Sequence, residues 1–125
     1  MPDQLKLDMS DYYEHAGDHL ADRNSHSKAA EHYTKAIQVI ESIGGIMEDV
    51  KETGWNRVTP NVELDRARAL IHYKTGISHN NQKKYKDSKV SFDYARVLDP
   101  SFEDANAWYD KMDRLTKSLN KIFGD

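Results

Sequence analysis

Displaced by 59 residues, the sequence meets itself. Gly17 falls on Gly76, Tyr33 on Phe92, Ala36 on Ala95 and Val39 on Leu98, and Ala29 falls on Ser88, another small residue. In each copy a glycine precedes a small residue by 12 positions, an aromatic by 16 and an alanine by 19. A close-packed helical pair needs this set. The glycine lets a second helix approach, and the small residue opposite keeps the crossing tight. The aromatic fills the wedge, and the alanine lets the next helix close on top. One such pair cannot cover its own apolar face, so pairs must stack.

The rest of the chain reads as helix. Apolar residues recur at steps of 3 and 4, without sustained alternation or an Asn-Gly or Asp-Gly hairpin signal. A first helix is expected from about Asp11 to Arg23, with Ser10 as N-cap and Tyr13, Ala16, Gly17 and Leu20 on one face. A second starts near Lys28 and presents Ala29, Tyr33, Ala36, Ile37 and Ile40. Ile43, Met47 and Val50 prolong its stripe, so the helix is expected to run on to about Lys51 despite Gly44-Gly45. The alternative is a C-cap at Gly44 and a separate short helix. Residues 53–61 read as a loop around Trp55, with Pro60 against helix and Asn61 as the next cap. Trp55 either packs over this long junction or stands out as a contact for a partner. Further helices are expected from Val62 to Asn80, Tyr85 to Leu98 and Glu103 to Ile122. The expected fold class is all-α, an antiparallel array of about five helices in one domain.

Composition narrows the function. The chain has 125 residues and no cysteine, which excludes disulfides and thiolate metal sites. It shows no apolar leader and no run of about 18 apolar residues, so a soluble, cytoplasmic protein without membrane partners is expected. Residues 1–44 carry four Lys/Arg against eight Asp/Glu, and residues 66–125 carry twelve against eight. An acidic front and a basic back argue against nucleic-acid binding and favour head-to-tail self-association.

With these residues in view, the chain resembles the tetratricopeptide-repeat (TPR) family, whose 34-residue helical hairpin carries this glycine, small, aromatic, alanine and proline pattern. The second copy fits best, through Gly76, Tyr85, Ser88, Phe92, Ala95, Leu98, Asp99 and Pro100. The first keeps Gly17, Leu20, Ala29, Tyr33 and Ala36 but has Glu41 where the proline belongs. The resemblance divides the chain into repeat one (about 10–43), an insertion (about 44–68), repeat two (about 69–102) and a capping helix (about 103–123). The lengthened junction resembles the layout in large immunophilins.

The family lines a concave groove with the first helix of each pair. By resemblance the groove positions are Asp11, Glu14, Asp18 and Asp22 in repeat one, and Leu70, Tyr73, Lys74, Ile77 and Asn80 in repeat two. The four carboxylates form one stripe, which is either a solvated face or a seat for a basic segment with an apolar anchor. Leu70, Tyr73 and Ile77 suit that anchor, or pack inside the array. The family's clamp for acidic tails needs Lys and Asn where Glu14, Asp18 and Lys74 stand, so an acidic tail is disfavoured. The resemblance implies a protein-binding scaffold or adaptor of co-chaperone type, with no cofactor. The alternative is a self-associating structural subunit, a homo-oligomer. His15 and His19, four apart and flanked by Asp18 and Asp22, carry a third and weaker reading as a metal-dependent enzyme. There is no His-Glu-x-x-His motif, phosphate loop or nucleophile elbow, so neither a catalytic residue nor a metal ligand is assigned.

Overall fold

The structure, a computed structural model, describes residues 2–43 and 62–124. Pro2 pre-sets the backbone for helix entry at φ −61°, and Asp3 places a carboxylate in the first turn against the positive end of the helix dipole. Helix α1 therefore starts at Asp3 and runs to Asp22, eight residues earlier than expected. Ser10 is no cap. It is buried mid-helix, and its hydroxyl donates to the Ala36 carbonyl at 3.0 Å. Leu7, in the added turns, packs on the core of the first hairpin.

Helix α2 spans His26–Glu41, α3 Val62–Asn81, α4 Tyr85–Leu98 and α5 Glu103–Phe123. Consecutive helices pack antiparallel, and the described residues contain no strand. Among the described residues the array is all-α with five helices, as the periodicity requires. Two turn residues, Ser42 and Ile43, follow α2. The expected run through Gly44-Gly45 to Lys51, the Trp55 loop and the Asn61 cap lie outside the described residues.

The 59-residue offset holds in three dimensions. It relates the starts of α1 and α3, their ends, and the starts of α2 and α4. The turns match bond for bond. The N–H groups of Arg23, Asn24 and Ser25 donate to the carbonyls of Leu20, Ala21 and Leu20 at 3.1, 2.9 and 2.9 Å. Those of Gln82, Lys83 and Lys84 donate to His79, Asn80 and His79 at the same distances. Asn24 and Lys83 each adopt the left-handed φ of 62° that closes such a cap. Residues 62–68, expected to belong to an insertion, are the opening turns of α3 and match residues 3–9 of α1.

Inside each hairpin a ring lies on a glycine. A Cβ at Gly17 would sit 2.5 Å from the Tyr33 ring, and one at Gly76 would sit 2.8 Å from the Phe92 ring. Ala29 and Ser88 are fully buried, and the Ser88 hydroxyl donates to the Gly76 carbonyl at 2.8 Å. Ile71 of α3 joins Ala29, Tyr33, Ala36 and Ile40 in one core, so the first hairpin is completed by the second. Ala69, Ala95 and Ala105 form the next core, where α3, α4 and α5 meet. Asp99 closes the Pro100 turn by accepting from Ser101 Oγ at 2.6 Å, and Gly124 ends α5 at φ 76°. Among the described residues no helix is long and apolar enough to cross a membrane.

Candidate functional site

Helices α1 and α3 both pack on α2, and one side chain ties the two together. Lys74 Nζ donates to Glu14 Oε2 at 2.6 Å and to Asp18 Oδ2 at 3.0 Å. The second oxygen of Asp18 accepts from the Tyr33 hydroxyl of α2 at 2.6 Å. This network is half-buried and joins three helices. Burial alone would lower the pKa of Lys74, but the bonds to Glu14 and Asp18 outweigh it and raise the ammonium above its ordinary value. Burial pushes the Tyr33 phenol up, and the bond to Asp18 and the charges of Asp18, Glu14 and Asp22 push it further.

The acidic stripe is therefore not four equal carboxylates. Glu14 and Asp18 converge on Lys74, while Asp11 and Asp22 stay exposed on either side along α1. On α3, Leu70 is exposed, and Tyr73, Ile77 and Asn80 are half-buried. Tyr73 belongs to an aromatic run. Its ring centroid lies 5.7 Å from Phe92 and 4.9 Å from Phe102, and Phe92 stacks on Trp108 at 5.5 Å. Burial and then the charge of Asp104 raise the Tyr73 phenol, against a lowering contact with Trp108. The face between α1, α3 and the start of α5 thus has an ionic half and an aromatic half.

Two contributors lie outside the expected groove positions. Tyr33 supplies a hydroxyl to the ionic half, and Trp108 extends the aromatic half. The first left a trace in the repeat itself. Tyr33 and Asp18 of one copy become Phe92 and Ile77 in the other. Hydroxyl and carboxylate appear together and vanish together, as two contacting groups would.

His15 and His19 are exposed, and His15 Nδ1 lies 2.8 Å from the Asp11 carbonyl oxygen. Among the described residues no group of three His, Asp or Glu side chains could hold a metal ion. A second polar cluster closes the α2–α3 junction. Arg68, almost fully buried, lies 3.7 Å from Glu41 and 3.3 Å from Asp65. His72 and then Arg68 lower the Glu41 carboxyl against its burial, and the His72 ring stacks on Tyr94 at 4.9 Å. An open concavity of about 430 Å³ lies elsewhere, between α2 and the α3–α4 turn, where Lys35, His79, Gln82 and Lys84 contribute to its lining.

No family model, curated protein or solved structure matches the chain.

Proposed function

We propose that this chain is a TPR-like binding module that holds an extended segment of a partner protein along the face of α1 and α3. The observation that carries this reading is the shared register of the two hairpins. Equivalent turns and equivalent glycine–ring contacts set α1 and α3 side by side as the first helices of successive pairs. Stacked pairs of this kind create elongated concave surfaces.

The chemistry of the face selects the segment. Lys74 offsets only one of the two charges of Glu14 and Asp18, and the exposed Asp11 and Asp22 on either side add to the negative charge open to a ligand. Leu70 and the Tyr73–Trp108 run offer apolar contact. A basic segment with one apolar or aromatic anchor fits both halves, and an acidic tail does not.

Calorimetric titration with a basic peptide carrying one aromatic anchor tests this, with its Glu-substituted counterpart as control. The basic peptide binds, and Asp11→Lys with Asp22→Lys weakens it by about tenfold. Equal binding of the acidic counterpart, or affinity unmoved by the charge reversal, sinks the proposal.

A further inference from the structure

The α1–α3 face continues onto α5. Consecutive helices are antiparallel, so α1, α3 and α5 run in one direction. Lys74 meets Glu14 and Asp18 of α1, and its neighbour Tyr73 lies against Phe102 and Trp108 beside α5. These contacts set the three helices level. One turn forward of them stand Asp22 on α1, Ile77 on α3 and Lys111 on α5. One turn back stand Asp11, Leu70 and Asp104. Each is 3 or 4 residues from a contact residue of its own helix, and so keeps to the same side of it.

The forward line crosses the face as acid, apolar residue, base. The backward line crosses it as acid, apolar residue, acid. Their last members differ in what surrounds them. Asp104 lies in the first turn of α5, where the helix dipole offsets its charge. Lys111 is exposed in mid-helix, and among the described residues it forms no ion pair. Its ammonium lies over the Trp108 ring, 4.7 Å from the centre. The ring holds that charge beside the aromatic half but carries no countercharge. Asp22, at the other end of the forward line, is also exposed and without an ion pair among the described residues.

We infer that the segment held on this face is dipolar, with a basic residue on Asp22, an apolar anchor over Ile77 beside Tyr73 and Trp108, and a carboxylate on Lys111. The inference rests on the groove reading above and narrows it, from a segment basic throughout to one with opposite charges at its two ends. Charge complementarity fixes the order of the three contacts. Their spacing follows from the helices. From α1 to α5 is two steps of about 10 Å. An extended chain advances about 3.3 Å per residue, so the two charges stand about six positions apart with the anchor midway.

Calorimetric titration with two peptides tests this. Both carry Lys, then Phe, then a final charge at the spacing above; in one that charge is Glu and in the other Lys. The unmodified chain binds the Glu-ended peptide about fivefold more tightly. Lys111→Glu inverts the preference, with far-UV circular dichroism unchanged. Lys86→Glu, the same charge change on the exposed side of α4, leaves it as it was. Asp22→Lys weakens both peptides. Equal affinity for the two peptides overturns the inference, and so does an inversion as complete in Lys86→Glu as in Lys111→Glu. Preference of the unmodified chain for the Lys-ended peptide overturns it in favour of the line that ends on Asp104. All three results leave the groove reading standing, because the peptides bind. Failure of both peptides to bind sinks the groove and the inference together.

Discussion

At the residue scale, the fold turns on what a glycine omits. Gly76 and Phe92 occupy the volume that an alanine and a ring cannot share, since the added Cβ would stand 2.8 Å from the ring. Phe92 is fully buried and has no room to swing aside. Gly76→Ala gains about 1 kcal/mol of helix propensity but costs about 1–3 kcal/mol in overpacking. The net change expected in urea unfolding is a loss. In a Phe92→Leu background the ring is gone, and Gly76→Ala becomes neutral or stabilising. Additive effects of the two substitutions would show that the ring does not rest on the glycine. The matching position in the first hairpin makes a different prediction through its hydroxyl. The folded chain holds the Tyr33 phenol protonated above its ordinary pKa of 10.0, whereas the unfolded chain releases that proton near pH 10. This stabilisation is complete below about pH 10 and declines as pH rises. Lys74, raised above its ordinary 10.5, declines in the same direction. Tyr33→Phe should cost about 1–3 kcal/mol at neutral pH, for a bond to a charged acceptor. It should also flatten the alkaline decline, leaving the shares of the other groups raised above their ordinary values, Lys74, Tyr73 and Lys89. Urea midpoints at neutral pH and from about pH 9 to 11 check both parts. An alkaline slope as steep in the variant would remove Tyr33 as its source.

At the scale of the element, what could be read from sequence and what could not have separate physical causes. The ends of α1, α3 and α4 were legible because turn chemistry is local. Asn24, the Asn80-Asn81-Gln82 stretch and Asp99-Pro100 stop a helix whatever packs on it. The stacked architecture was legible because glycine, small residue, aromatic and alanine return at one offset. The start of α1 was misread because Ser10 has the right type for a cap and the wrong surroundings. Its partner is the Ala36 carbonyl, 26 residues away, and no local pattern reports that. Residues 62–68, assigned to the insertion, form the opening turns of α3, where a helix was expected from Val62. A 34-residue template has no room for seven more residues at the start of each first helix, although the 59-residue offset already contained them. The ionic half of the α1–α3 face was half legible. Four carboxylates in a row call for a cation, and Lys74 stood among the groove positions, but their meeting spans 56 to 60 residues. The Tyr33–Asp18 against Phe92–Ile77 exchange was available and was passed over, because Tyr33 had a sufficient role as a wedge.

At the scale of the whole molecule, the question is whether two hairpins of equal register behave as two units or one. Ile71 decides. It lies on α3 but is buried with Ala29, Tyr33, Ala36 and Ile40 of α2, so the first hairpin's core is closed by a residue of the second. Lys74 binds α3 to α1 across the same junction, and Arg68 reaches Glu41 beside it. In stacked arrays the interface between neighbours carries much of the stability, because a single pair leaves its apolar face in water. Ile71→Ala removes the closing side chain and should cost about 2–5 kcal/mol, as buried isoleucine truncations do. If the interface couples the hairpins, that loss reaches both. Hydrogen exchange followed helix by helix then shows the slowest amides of α1, α2, α4 and α5 losing protection together, by a similar factor. Protection lost in α1 and α2 while α4 and α5 keep theirs would mean that the hairpins open independently. The α1–α3 face would then lack the rigidity that a preformed groove requires, and peptide affinity would fall with the fraction of molecules in which the junction is closed.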